Sequence, residues 1–277
     1  MAKILIVGCG AIGTKLAHVL FAKGHQVTGL KRNPPTNGNH KINYFKADIS
    51  SAKDLDELDT DFDQLFFIVS TGGRTDTGYH AIYETGLNNL LAKFPDKPWI
   101  FVSSTSVYGQ SQGEWVDENS TAEPDNANSR LIRQAEQKLT TTNPDNIIVR
   151  FSGIYGPGRE YLLRQAQQAP SIQQNPPYFT NRIHQQDCVG VLAFLLEQRL
   201  AGVALEQYYL ASDDDPAPLW DVMSWLTSEL KCQAPTVKTV NQDAGMNKRC
   251  SNRRLKVLGY QFNYPGYKDG YYELING

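Results

Sequence analysis

The chain has 277 residues and a formal net charge of −2, from 27 Lys and Arg against 29 Asp and Glu. This length predicts one or two domains with a full core. The balanced charge excludes a dedicated nucleic-acid-binding protein, whose affinity rests on a basic surface. No apolar run approaches 18 residues, so no membrane span is predicted.

The cysteine pattern bears on metal binding and on cellular compartment. Cys9, Cys188, Cys232 and Cys250 form no CxxC pair, so we expect no metal site. Dispersed cysteines in a chain of this length are typical of reduced thiols in the cytoplasm. The apolar run at residues 4–8 is too short for a signal-peptide core. We therefore expect a cytoplasmic protein.

Strand and helix patterns alternate through the first half of the chain. Helical spacing begins at Ile12 and covers residues 81–94 and 129–139. This alternation predicts an α/β fold with a Rossmann-type, doubly wound parallel sheet. Residues 33–39 and 109–128 are predicted loops. The predicted strands are residues 3–7, 26–30, 43–46, 64–69, 99–102 and 146–150.

The pattern changes after residue 152. Helical segments at 160–169, 189–198 and 219–230 are separated by irregular stretches that contain Pro and Asn. We interpret these stretches as a small C-terminal substrate lobe. The predicted division is a dinucleotide-binding domain of residues 1–152 with 181–202, and a lobe of residues 153–180 with 203–277.

A glycine-rich turn directly follows the first strand and opens the first helix. It reads Gly8-Cys9-Gly10-Ala11-Ile12-Gly13, a GxGxxG motif. The first glycine permits the tight turn, the second lets the backbone approach a pyrophosphate, and the third lets helix and strand pack closely. The motif predicts dinucleotide binding, and the alternative is a structural turn without a ligand.

The end of the second strand favours NADP(H) over NAD(H). NAD-binding proteins usually carry Asp or Glu there, whereas this chain has Lys31 and Arg32, which attract a 2′-phosphate. The alternative is a solvated basic loop. Asp48 closes the third strand and is predicted either to meet the adenine amino group or to cap the next helix. The remaining predicted cofactor contacts lie at strand ends, at Ile49, Ser70, Thr71 and Ser103.

Three further stretches carry a family resemblance. They read FVSSTSVYG from Phe101, RFSGIYGPG from Arg150 and NRIHQQDCV from Asn181. With the glycine turn they resemble the extended short-chain dehydrogenase/reductases, and more narrowly the nucleotide-sugar epimerase/dehydratase branch, over nearly the whole chain. The resemblance implies reversible hydride transfer at a carbinol carbon of a small-molecule substrate, and a possible homodimer.

The resemblance also implies catalytic residues. The family's hydroxyl that orients the substrate oxygen falls on Ser104, for which the alternative is a hydroxyl that satisfies backbone groups at a strand end. The family's YxxxK pair is absent: its tyrosine position falls on Asn128 or Ser129 and its lysine position on Ile132 or Arg133. Tyr108 and Tyr155 lie in motifs near the expected nicotinamide and are candidates for proton transfer, and the alternative for both is a packing role. Further candidates are Tyr79, His80 and Tyr83 after the fourth strand, and His184.

Basic residues in segments that line the family's substrate cleft are candidates for binding a diphosphate. They are Arg159, Arg182 and Arg249, with His184 and Asn252 beside them. The alternatives are a solvated basic face and, for His184, a structural hydrogen bond. Two functions remain open from the sequence. One is an oxidoreductase or epimerase-like enzyme with a non-standard acid/base, and the other is a catalytically silent NADP(H) sensor or regulatory protein.

Overall fold

The computed structural model describes residues 1–35, 41–71, 73, 75–239 and 245–277. Its largest sheet has seven strands in the order β12-β7-β5-β4-β1-β2-β3, and the pairs β1–β2, β2–β3, β1–β4 and β4–β5 are parallel. The strands are β1 Lys3–Val7, β2 Gln26–Lys31, β3 Asn43–Lys46, β4 Gln64–Phe67, β5 Trp99–Ser104, β6 Glu114–Val116, β7 Ile147–Phe151, β8 Gly153–Tyr155, β9 Ser171–Ile172, β10 Phe179–Thr180, β11 Arg182–His184, β12 Tyr208–Ala211, β13 Ala217–Pro218, β14 Thr236–Val237 and β15 Lys248–Cys250.

Helices connect the parallel strands, which confirms the predicted α/β, Rossmann-type sheet. The strand order reverses at β1, between β2 and β4, and ligands of such sheets bind at the carboxyl ends of the strands beside this reversal. The helices are α1 Ala11–Ala22, α2 Asp76–Tyr79, α3 Leu87–Lys93, α4 Ala127–Thr142, α5 Tyr161–Ala166, α6 Gln185–Leu200, α7 Leu219–Glu229, α8 Arg253–Leu258 and α9 Tyr267–Asn276.

The chain divides into two compact units. The first contains residues 1–107, 123–149 and 189–208, and the second contains residues 108–122, 150–188 and 209–277. Each has its own apolar core: Phe67, Trp99 and Leu139 are buried in the first, and Met223 and Tyr271 in the second. Residues 108–122, 150–152 and 181–188, assigned to the dinucleotide-binding domain from the sequence, pack in the second unit, and residues 203–208, assigned to the lobe, pack in the first.

The helix predicted at 81–94 differs from the observed one. A π-helical segment, His80–Gly86, joins α2 to α3. Gly86 at its end packs against Ile49, and a Cβ on Gly86 would lie only 2.6 Å from Ile49 Cγ1. The π turn therefore brings helix backbone directly against a side chain that follows β3.

Two predicted loops also need comment. The predicted loop at 109–128 contains β6, which pairs in parallel with the distant β15. The predicted loop at 33–39 extends, from residue 36 onward, outside the described residues.

In the part of the chain that the structure describes, no helix has the length and hydrophobicity needed to cross a membrane. The same residues contain no group of three or more His, Cys, Asp or Glu arranged to hold a metal ion.

Candidate dinucleotide and active site

The turn after β1 shows why each glycine of the motif is needed. Gly8 has φ +98°, and a Cβ there would lie 2.6 Å from Ile68 O. A Cβ on Gly13 would lie 2.3 Å from Gly8 O, so α1 packs directly on the turn. A Cβ on Gly10 would have no atom within 4 Å, and α1 begins there without a side-chain cap or an acidic residue in its first turn. The start of α1 therefore offers free N–H groups and a positive dipole end to an anion such as a pyrophosphate.

A cavity of about 470 Å³ opens beside this turn. It runs along the carboxyl ends of β1, β2, β3 and β4, where the sheet topology predicts a ligand. The residues that fit a dinucleotide, Gly10 at the helix start and Lys31 at the end of β2, share this one cavity. Its lining comprises Val7, Gly8, Cys9, Gly10, Leu30, Lys31, Arg32, Asn33, Ala47, Asp48, Ile49, Ser50, Ile68, Val69, Ser70, Thr71, Gly78, Ala81 and Ile82.

The charged part of the lining lies after β2 and β3. Arg32 Nη1 is 4.0 Å from Asp48 Oδ2; the Arg32 side chain is largely exposed and that of Asp48 is half-buried. Asp48 Oδ1 accepts hydrogen bonds from Ser50 N (2.9 Å) and Ser50 Oγ (2.7 Å). The residue that caps the following turn is Ser51, whose side chain accepts from Asp54 N. Asp48 thus lies three residues before that cap and shapes the turn that leads to it, and its contact with adenine stays a prediction.

Some predicted cofactor residues lie outside the lining. Ala11, Ile12 and Gly13 form the first turn of α1 behind the glycine turn. Ser103 is buried, and its hydroxyl donates to Glu136 Oε1 (2.5 Å).

The sequence reasoning missed other lining residues. Cys9 is buried beneath the turn, and burial raises the pKa of its thiol to about 12. Ala81 and Ile82 come from the π-helical segment, which hydrophobic spacing alone does not distinguish from an α-helix.

Ser104 ends β5 with a defined hydrogen bond. Its Oγ accepts from Ser106 N (3.1 Å), and Ser106 Oγ in turn accepts from Ser129 Oγ (2.9 Å). Ser129 lies in the first turn of α4, whose N-terminus is capped by Asn126. Because Ser104 accepts from the backbone, its hydroxyl proton remains available to donate to a substrate oxygen.

A buried polar network holds α4 against β5. Glu136 accepts from Ser103 Oγ and, through Oε2, from Arg133 Nη1 (2.9 Å). One turn before Glu136, Ile132 is buried and apolar. One turn earlier still, Asn128 Oδ1 is buried, and within the described residues it has no hydrogen-bond partner. The positions that the resemblance gives to tyrosine and lysine therefore present hydroxyl, amide, guanidinium or apolar groups, and no phenol.

Tyr108 belongs to the second unit and its phenol is fully engaged. The hydroxyl donates to Asp117 O (2.7 Å) and accepts from Arg150 Nη1 (2.9 Å). Lys248 is buried and donates to Tyr108 O (3.0 Å). Burial raises the pKa of Tyr108 to about 12 despite the neighbouring Arg150. This phenol therefore keeps its proton at neutral pH.

Tyr155 lies in the core of the second unit. Its ring stacks on Tyr271 at 4.5 Å, and a Cβ on Gly270 would lie 2.2 Å from its hydroxyl. That hydroxyl is buried without a hydrogen-bond partner in the described chain. Burial, followed by the charge of Asp213, raises the pKa of Tyr155 far above its ordinary value.

Three of the predicted substrate residues are buried in the second unit. Arg182 lies over the Tyr267 ring at 5.2 Å, and the His184 ring lies 3.8 Å from that of Tyr264. Asn252 Nδ2 donates to Ser212 O (2.9 Å). These contacts are internal to the unit, and substrate binding by these residues stays a prediction.

The other two candidates are more accessible. Arg159 is exposed in the turn that follows β8. Arg249 is half-buried, with its guanidinium 4.8 Å from the Phe179 ring centre and 5.2 Å from that of Trp115. Its Nε donates to Gly113 O (2.7 Å).

Comparison with known proteins agrees with this geometry. Residues 4–199 match the sequence profile of the NAD dependent epimerase/dehydratase family. A Methylobacillus flagellatus protein whose structure was described under that family name is 35% identical, with a TM-score of 0.84 over 99% of this chain and 97% of that one. Protein YeeZ of Escherichia coli (strain K12) is 27% identical over 96% of this chain and 97% of its own length.

A more distant structure shares the fold. UDP-glucuronic acid 4-epimerase from Bacillus cereus, solved with UDP-glucuronic acid and NAD, is 19% identical and has a TM-score of 0.76 over 99% of this chain and 98% of its own. Together with the profile match over residues 4–199 and the glycine turn on β1, these likenesses identify the chain as a member of the NAD dependent epimerase/dehydratase family.

Proposed function

We propose that the chain is an NADP(H)-binding oxidoreductase or epimerase-like enzyme that acts on a carbonyl or nucleotide-sugar substrate with a non-standard acid/base. The observation that carries the cofactor part is the shared cavity, in which Gly10, Lys31 and Arg32 all contribute to the lining. The start of α1 would hold the pyrophosphate, and the two cations would hold a 2′-phosphate. When bound, the nicotinamide supplies a hydride donor or acceptor.

Ser104 is the proposed substrate-orienting residue. The backbone N–H of Ser106 fixes its oxygen, so its hydroxyl donates to the reacting oxygen of the substrate. Asn128, at the tyrosine position of the resemblance, carries an amide that cannot exchange a proton, and its Oδ1 is buried. The reacting proton therefore comes from a group other than a phenol on α4.

We assign packing roles to Tyr108 and Tyr155. A general base at neutral pH needs a pKa near 7, and burial moves both phenols in the opposite direction. The cytoplasmic location and the homodimer stay predictions.

The Ser104→Ala variant tests the enzymatic function. We expect it to slow NADPH consumption with a panel of aldehydes, ketones and nucleotide sugars by about tenfold or more, which is about 1.4 kcal/mol in the barrier. Its Kd for NADPH should stay within about twofold of wild type. Ser106→Ala is a matched control because it keeps the backbone N–H that donates to Ser104, and it should cost less than about threefold. Equal rates for wild type and Ser104→Ala would remove the serine from the mechanism.

The second candidate function is a silent NADP(H) sensor. The observation that favours it is the first two turns of α4, where Asn128, Ser129 and Ile132 stand near or at the positions of the family's proton-transfer pair. The same panel distinguishes the two functions. NADPH binding without turnover of any substrate would favour the sensor.

A further inference from the structure

A second open cavity lies in the second compact unit and shares no lining residue with the dinucleotide cavity. Its volume is about 460 Å³, within the usual range for small-ligand sites. It is formed by β6 with the loop after it and by the segment that leads into α8. Its lining comprises Trp115, Val116, Asp117, Glu118, Asn119, Ser120, Ser251, Arg253, Arg254 and Val257.

One wall of the cavity is the indole of Trp115, which contacts the guanidinium of Arg249. The Trp115 side chain is 56% exposed, and the guanidinium of Arg249, its register neighbour on β15, lies 5.2 Å from the ring centre. Arg249 is itself fixed by Phe179 and by Gly113 O. The indole therefore has a rigid support, and Val257, which is 79% exposed, adds an apolar surface to the cavity.

The two acidic residues in the lining already have partners within the chain. Glu118 Oε1 accepts from Leu210 N (2.8 Å), and its Oε2 lies 3.7 Å from Arg254 Nε. Asp117 Oδ1 accepts from the backbone and hydroxyl of Ser120 (3.0 and 3.1 Å). Glu118 is therefore paired with a cation of the same lining, and the Asp117 carboxylate is held by hydrogen bonds within its own loop.

Arg253 is a cation of the lining without an ion-pair partner among the described residues. It is exposed at the first residue of α8, and among the described residues it has no hydrogen bond or ion pair. A guanidinium of this kind binds carboxylate or phosphate oxygens through paired N–H donors. The cavity thus combines an exposed aromatic face with one available positive charge.

We propose that this cavity binds a small ligand with a flat ring and one anionic group. The ring stacks on Trp115, with the support of Val257, and the carboxylate or phosphate pairs with Arg253. Aromatic acids and mononucleotides both have this chemistry, so each provides a probe.

The test is a titration with 2-naphthoate and, separately, with uridine 5′-monophosphate, followed through the indole N–H resonances in ¹H–¹⁵N NMR spectra. The chain has 4 tryptophans, and Trp115→Phe assigns the Trp115 signal. With at least one probe, this signal should shift to saturation. Because the Trp115 variants lack this signal, the Kd values are compared by isothermal titration calorimetry. Trp115→Ala and Arg253→Gln should each raise the Kd of that probe about tenfold or more, and Trp115→Phe should keep it within about fivefold of wild type.

The controls separate this site from other binding. Lys256→Gln removes a cation from the same helix but outside the lining, and it should change the Kd less than about twofold. Uncharged 2-naphthamide should be insensitive to Arg253→Gln. Because Trp115 and Arg253 are exposed, their variants should unfold at the wild-type temperature. The proposal is overturned if neither probe saturates the Trp115 signal, or if either Trp115→Ala or Arg253→Gln leaves the Kd within twofold of wild type.

Discussion

Alanine at Gly10 should weaken NADPH binding about tenfold or more, or about 1.4 kcal/mol, while leaving the folded state intact. The Cβ would project into open space at the start of α1, where it would occupy the volume that a pyrophosphate needs. The backbone at Gly10 is extended, with φ −80°, so alanine adopts it without strain. Fluorescence titration with NADPH and thermal unfolding measure the two effects separately.

Gly13→Ala is the matched comparison, because its main expected effect is a loss of folding stability. Its Cβ would lie 2.3 Å from Gly8 O, so α1 must move away from the turn, at a cost of about 3 kcal/mol in unfolding free energy. This corresponds to a lower Tm by roughly 5 °C or more. If Gly10→Ala bound NADPH as tightly as wild type, the start of α1 would not be the pyrophosphate site.

Removing both cations after β2 should abolish the preference for NADP(H). In Lys31→Gln/Arg32→Gln, we expect the Kd of NADPH to rise roughly hundredfold, about 2.7 kcal/mol, because two charge-assisted contacts with the 2′-phosphate are lost. The Kd of NADH, which lacks that phosphate, should change less than about threefold. Isothermal titration calorimetry with both cofactors measures these constants.

Lys46→Gln provides the control for general electrostatics. Lys46 on β3 is the register partner of Lys31, but it is absent from the cavity lining. Because Lys46 is exposed, solvent and salt screen its charge, and Lys46→Gln should change the Kd of each cofactor less than about threefold. Equal losses of NADPH and NADH in the double variant would show that Lys31 and Arg32 act on the dinucleotide as a whole and not on a 2′-phosphate.

The local parts of this fold were predictable from the sequence. β1, the glycine turn and α1 are specified by adjacent residues: an apolar strand, glycines where a Cβ would clash, and helical spacing from Ile12. The four-residue β3 was predicted at 43–46 and is observed at Asn43–Lys46. Such elements follow from propensity and periodicity over short stretches.

The parts that escaped prediction depend on distant partners. β6 pairs with β15, more than 130 residues away. The π-helical segment makes hydrogen bonds between residues five apart, whereas an α-helix makes them between residues four apart. A hydrophobic pattern over one or two turns does not resolve this difference. Lys248 is buried, and its ammonium donates to Tyr108 O, 140 residues earlier in the chain. The local sequence does not predict contacts with partners so far along the chain.

Some features of the candidate site could likewise be predicted from the sequence, and others depend on packing between distant residues. Lys31, Arg32 and Asp48 share a cavity because parallel strands end at one edge of the sheet, a consequence of topology that the sequence allowed us to infer. The raised pKa of Tyr108 and the buried environment of Tyr155 arise from packing in the second unit. Motif position alone therefore could not distinguish a catalytic phenol from a structural one.

The most direct test of the central claim is a comparison of the Kd values of NADPH and NADH for the unmodified chain, measured by calorimetry in one buffer at physiological ionic strength. Lys31 and Arg32 in the cavity lining predict that NADPH binds about hundredfold more tightly, a difference of about 2.7 kcal/mol. Equal affinities, or tighter binding of NADH, would contradict the account.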